Sequence, residues 1–125
     1  MAKILIVDDD PDILTASRLV LERAGHTVIT ASNPSDGRLA LEREAPALLI
    51  LDIMMDSPDD GLVMAQDLRR TGHKLPILML TSLPKVSGMS LAKDDEMVPV
   101  DELVEKPVSP EALTGLVTQL LSTRR

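Results

Sequence analysis

Residues 3–12 read "KILIVDDDPD". The apolar run Ile4-Leu5-Ile6-Val7 breaks directly into Asp8-Asp9-Asp10, and Asp12 follows close behind. The run has the unbroken, β-branched apolarity of a strand covered on both faces. The carboxylates that end it repel one another by about 4 kcal/mol per close pair at an effective dielectric of about 20. A buried strand that ends in crowded like charges demands a cation.

Outward from this stretch the same unit repeats. Ile13, Leu14, Val20, Leu21 and Ala24 recur at helical spacing, and Gly25 is a C-terminal stop. His26 to Ala31 reads as a second strand. Asn33 and Pro34 have the character of an N-cap and a first helical residue, opening a helix to Glu44. Ala47 to Leu51 is a third strand, ended by Asp52, and residues 53–60 form a loop. A helix follows from Gly61 to Arg70, closed by Gly72. Pro76 to Leu80 is a fourth strand, ended by Thr81. Between 82 and 101, Pro84, Gly88 and Pro99 interrupt the pattern, so a short helix over 86–95 and high mobility over 84–98 are expected. Glu102 to Glu105 is a fifth strand, followed by Lys106-Pro107. Ser109-Pro110 caps a last helix with Leu113, Leu116, Val117, Leu120 and Leu121 on one face.

Strand–helix alternation with nearly continuous apolar strands predicts an α/β fold: a doubly wound, five-stranded parallel sheet with helices on both faces. The 125 residues fit a single domain, 1–125. Thirteen basic against twenty acidic residues give a net charge of −7, which argues against direct nucleic-acid binding through a basic face. There is no Phe, Tyr or Trp to stack on bases, and no Cys for a disulfide or thiolate site. No secretory leader and no apolar run of membrane length is visible, so a cytoplasmic protein without membrane contact is expected.

The polar residues fall at one kind of place. Asp8 and Asp9 end strand one, Asp52 strand three, Thr81 strand four and Lys106 strand five. These are carboxyl ends of parallel strands, where open α/β sheets bind ligands. In the order 2-1-3-4-5, strands one, three, four and five are neighbours and the residues converge. Three carboxylates with one Lys fit a hard divalent cation, Mg²⁺ above all. A carboxylate can also attack phosphorus, with the Lys and Thr stabilising the transferring oxygens. Asp10 and Asp12 read instead as the acidic first turn of a helix.

"ILIVDDDPDIL", "LLILDIMM" with its later "DG", "PILMLTS" and "LVEKPVSPEAL" resemble, in order and over nearly the whole chain, the response-regulator receiver domain, which has the flavodoxin-like order 2-1-3-4-5. The resemblance implies that Asp52 is the phosphoacceptor, that Asp9, Asp52 and the Met54 carbonyl bind Mg²⁺ directly, and that Asp8 acts through water. It implies that Thr81 turns towards the phosphoryl group and Lys106 pairs with it. The phosphate would come from a histidine kinase or phosphotransfer protein and the signal would pass to a downstream effector. Such a chain is a signalling phosphoacceptor, not a turnover enzyme. The alternative is an interaction module that kept the acidic pocket and works without phosphorylation. Three positions depart from the family. The span from Asp52 to Gly61 is one residue long, with Asp56 where Pro is usual. The span from Thr81 to Lys106 is also long. Leu103 stands where strand five usually carries an aromatic switch. Met54 and Leu83, which flank the line of water attack in such domains, are both apolar.

Overall fold

The computed structural model describes residues 2–53, 55, 60–81, 100–105 and 108–123. Five parallel strands, β1 (Lys3–Val7), β2 (Thr27–Ala31), β3 (Leu48–Asp52), β4 (Ile77–Thr81) and β5 (Glu102–Glu105), pair in the order β2-β1-β3-β4-β5. Four described helices accompany them: α1 (Pro11–Arg23), α2 (Pro34–Glu44), α3 (Asp60–Arg70) and α4 (Pro110–Thr123). The doubly wound sheet expected from the sequence is therefore present, in the expected order. The helix expected over 86–95, and the mobility expected of 84–98, lie outside the described residues.

Side chains alternate across the strands and divide the core in two. Leu5, Val7, Leu49, Leu51, Ile77 and Met79 face one way and pack with Leu41 of α2 and Met64, Ala65 and Leu68 of α3. Ile4, Ile6, Leu48, Ile50, Leu78 and Leu80 face the other way, towards Leu21 of α1 and Leu113, Val117 and Leu120 of α4. Full burial of each such side chain contributes about 1.5–3 kcal/mol. This is why the three central strands are hydrophobic on both faces along their buried middles, with polar residues only at their ends.

The helix ends follow local chemistry. Asp10 caps α1, its side chain accepting the Asp12 N–H at 2.9 Å. Asn33 caps α2 by accepting the Asp36 N–H at 2.8 Å, with Pro34 in the first turn. Gly25 and Gly72, at φ +97° and +96°, take the left-handed turns that follow α1 and α3. His26 departs from the surface role that its place at a strand start suggests. It is half-buried, its Nδ1 accepts the Ala2 N–H at 3.1 Å, and desolvation holds its pKa below the usual histidine value.

At the amino end of β4 one arginine ties three segments together. Arg69, in the last turn of α3, donates to the carbonyls of His73 at 3.0 Å and Leu75 at 2.8 Å, and to the Asp101 carboxylate at 3.0 Å. Asp101 Oδ2 also accepts the Ile77 N–H at 2.8 Å, and the Asp101 N–H donates to the Ile77 carbonyl at 3.0 Å. Hydrogen bonds to charged groups contribute more than neutral ones. Arg69→Ala should therefore lower the unfolding free energy by about 2 kcal/mol in urea titrations, and a loss below about 0.5 kcal/mol would show that the cluster is only a solvated ion pair.

Candidate functional site

The register of the sheet brings the acidic residues together. Val7 pairs with Leu51, so the next residues along the parallel strands, Asp8 and Asp52, fall side by side. Asp52 pairs with Leu80, which leaves Thr81 one step further on, beside the same rim. Asp8, Asp52 and Thr81 are buried, at 1%, 4% and 5% exposure, while Asp9 is exposed. One carboxylate oxygen from each of Asp8, Asp9 and Asp52 lies within 4.8 Å of the others. Three of the expected metal ligands thus meet. Glu105, the register partner of Thr81, directly precedes Lys106 in the chain. Lys106 itself and Met54 lie outside the described residues.

Backbone contacts hold this rim. The Asp8 N–H donates to the Ala31 carbonyl at 3.1 Å, extending the β1–β2 pairing into the site. Asp8 Oδ1 accepts the Asp10 N–H at 3.0 Å, which folds the chain from β1 into α1. The Ile53 N–H donates to the Leu80 carbonyl at 3.0 Å, and the Ile53 carbonyl accepts the Gly61 N–H at 2.7 Å. Ile53 is 3% exposed and belongs to the core. As the sequence predicts, the strand ends at Asp52 and Ile53 begins the connection to α3, buried and still bonded to β4 through its N–H.

Gly61 was legible as a helix start and as the glycine of the later "DG", but not as a packing position. A Cβ built on it would lie 1.9 Å from the Asp52 carbonyl oxygen and 2.7 Å from Ile53 Cα. The first turn of α3 packs directly on the backbone of Asp52, and no side chain fits between them. The available signal was a glycine at a helix start, where Ser, Thr, Asp or Asn would cap.

Electrostatics defines what the site can do. Two unit charges at about 4.8 Å repel by about 3 kcal/mol at an effective dielectric of about 20. The donor set is all carboxylate oxygen, two of its members are buried, and their span is that of one ion with retained water. It fits a hard divalent cation such as Mg²⁺ rather than a soft or thiophilic metal. Asp8, Asp9 and Asp52 would hold it.

Comparison with known proteins agrees with this geometry. Residues 4–118 match the family model of the response regulator receiver domain. The chain is 38% identical over 123 residues to the alkaline phosphatase synthesis transcriptional regulatory protein PhoP of Bacillus subtilis, covering 95% of this chain and 48% of that one. It is 36% identical over 123 residues to a probable transcriptional regulator, ycf27, of Pyropia yezoensis, covering 95% of this chain and 47% of that one. The chain thus spans about half the length of the curated relatives it matches. Among solved structures, the BeF3-activated N-terminal receiver domain of Klebsiella pneumoniae RstA superposes with a TM-score of 0.82 at 30% identity, over 95% of this chain and 97% of that one. A CheY-like receiver domain protein of Methanospirillum hungatei gives 0.84 at 25% identity, over 98% of this chain and 95% of that one.

Removal of a carboxylate from the cluster should weaken Mg²⁺ binding far more than removal of the helix cap beside it. Asp9→Ala should raise the Mg²⁺ dissociation constant by about tenfold or more, and Asp10→Ala by less than about threefold. Equal affinities of the two variants in titration calorimetry would refute the assignment.

Proposed function

The chain belongs to the response-regulator receiver domain family, and on that premise we propose that it is a signalling phosphoacceptor whose nucleophile is Asp52. The observation that carries this reading is the buried Asp52 carboxylate in register beside Asp8, with Asp9 and Thr81 at the same rim. The phosphoryl donor is a phosphohistidine on a histidine kinase or phosphotransfer protein. An Asp52 oxygen bonds to phosphorus as the phosphorus–nitrogen bond breaks, and the departing imidazole keeps the electron pair and takes a proton from water. Asp9, Asp52 and, by the resemblance, the Met54 carbonyl would hold Mg²⁺, with Asp8 acting through water, and the ion would supply positive charge against the carboxylates and the transferring oxygens.

The chain's own residues do the remaining work. Asp8 holds the β1–α1 turn and keeps its carboxylate beside Asp52. Gly61 lets α3 press on the Asp52 backbone and leaves the acceptor little freedom to shift. Thr81 supplies a hydroxyl to a phosphoryl oxygen, and Lys106 supplies a positive charge to another. An aspartyl-phosphate hydrolase usually carries a second Asp two residues after the nucleophile as acid–base, and here that place in the sequence holds Met54, which favours a covalent signal over a released product. A downstream effector reads that signal. The relatives' names describe transcriptional regulators about twice as long, and this domain's net charge of −7 suits a regulatory role without direct nucleic-acid contact. No helix among the described residues is long and apolar enough to cross a membrane, and a cytoplasmic setting follows from the proposed donor.

Asp52→Ala should abolish formation of the phosphoryl adduct with acetyl phosphate and Mg²⁺. An undiminished adduct in intact mass spectra of that variant would overturn the choice of nucleophile. The adduct on the native chain should also decay slowly. In receiver domains the residues two after the acceptor Asp and two after the Thr flank in-line water attack; in this sequence these are Met54 and Leu83, and neither type can orient a water molecule by hydrogen bonding. Met54→Asn and Met54→Glu should dephosphorylate faster than the native chain by about tenfold; unchanged decay rates would show that these side chains do not limit hydrolysis.

A further inference from the structure

The stretch from Asp52 to Gly61 is one residue longer than the resemblance leads one to expect. Closing a loop costs little more when it gains a residue. The added freedom is the greater hazard. Asp52 ends β3 at the root of this loop, and Mg²⁺ accepts little departure from octahedral geometry. Met54, whose carbonyl the resemblance assigns to the ion, lies two residues further on.

One residue closes the root. The Ile53 N–H donates to the Leu80 carbonyl of β4 at 3.0 Å, although β3 itself ends at Asp52. The Ile53 carbonyl accepts the Gly61 N–H, in the first turn of α3, at 2.7 Å. The backbone of Ile53 is thus bonded to the sheet on one side and to the helix on the other. Its side chain is buried in the same cluster as Met64, Ala65 and Leu68 of α3. The close approach depends on Gly61, whose Cβ would fall 2.7 Å from Ile53 Cα. A displacement that begins beyond Ile53 must break the bond to Gly61 or uncover the Ile53 side chain before it moves the Asp52 backbone. That side chain is stiff at χ1 and sits in close-packed surroundings.

We propose that Ile53 is a positioning residue for the acceptor: it closes the Asp52–Gly61 loop at its base and makes the placement of the Asp52 carboxylate independent of the loop's length. The inference rests on the reading of Asp52 as Mg²⁺ ligand and phosphoacceptor.

The test compares Mg²⁺ dissociation constants of the unphosphorylated chain by titration calorimetry. A glycine inserted between Pro58 and Asp59 lengthens the loop again with the closure intact, and should change the constant by less than about threefold. Ile53→Ala should raise it by about fivefold or more, and the same insertion should then raise it by a further threefold or so, roughly. Ile53→Val, which keeps the branched stem, should stay within about twofold of the native chain. Ile77→Ala separates positioning from packing. Ile77 is fully buried in the same cluster but begins β4, at the end away from the carboxylates. Its loss should lower the urea midpoint at least as much as Ile53→Ala does, yet leave the Mg²⁺ constant within about twofold. Amide exchange reads the closure without any metal. The first N–H groups of a helix have no intrahelical partner, so slow exchange at Gly61 reports its bond to Ile53. That amide should exchange as slowly as those of β3 and β4, and about tenfold faster or more in Ile53→Ala.

The proposal is overturned if the inserted glycine alone raises the constant by more than about threefold, if Ile53→Ala and Ile77→Ala change it alike, or if the Gly61 amide exchanges as freely as an open helix start. The insertion and the Gly61 exchange rate decide the matter even where Ile53→Ala does not fold. A native chain that takes up no Mg²⁺ would overturn the metal reading of the site and this inference with it; Mg²⁺ binding together with any of the other adverse results overturns this inference alone.

Discussion

Asp8 and Asp52 stand side by side because β1 and β3 are parallel neighbours with Val7 paired to Leu51. That register is the constraint on which the site depends. A slip of one residue would send one carboxylate to the opposite face of the sheet, since side chains alternate. The register is held by apolar burial on both faces. Ile4, Leu5, Ile6, Val7, Leu48, Leu49, Ile50 and Leu51 are each at most 1% exposed. Their burial outweighs a repulsion of about 3 kcal/mol between the two carboxylates many times over. The fold can therefore keep like charges together before any cation arrives, which is what a site prepared for a divalent ion and a phosphoryl group requires.

The acidic cluster is also divided by task. Asp10 caps α1, and the Asp8 carboxylate accepts the Asp10 N–H. Two of the four aspartates thus build the turn that leads out of β1, and Asp12 sits in the first turn, where the helix dipole favours an anion. Asp9 is exposed and joins the carboxylate cluster from the solvent side. One short sequence serves strand termination, helix initiation and ligand placement together. This explains its density of charge without assigning every carboxylate to the ion.

Much of this was legible in the residues. The apolar strands, the Asn33-Pro34 and Ser109-Pro110 helix starts and the stops at Gly25 and Gly72 each follow from local chemistry, and the structure has them. The convergence of Asp8, Asp9, Asp52 and Thr81 followed from one topological rule about strand ends. What could not be read was tertiary. Nothing local to Gly61 says that a Cβ there would meet the Asp52 carbonyl, because the collision involves a segment nine positions back. Nor does the sequence near Arg69 announce a bond to Asp101, 32 residues on. Nor does its place at the start of a loop announce that Ile53 is buried and that its N–H bonds to Leu80.

The sheet's burial also limits where a signal can leave it. β1, β3 and β4 are buried along nearly their whole length, whereas β2 and β5 are the half-buried edges. On β5 the residue paired with Met79 is Leu103, half-buried against the core on the α3 side. An aromatic ring at such a place can exchange an exposed for a buried position, and a tyrosine can carry a hydroxyl with it. Leu103 has neither a ring to rotate nor a polar group to follow the Thr81 hydroxyl, and its position answers to packing alone. On the other edge, the Ala31 carbonyl accepts the Asp8 N–H. β2 is therefore joined to the end of β1 that carries the carboxylates by a backbone hydrogen bond from Asp8 itself.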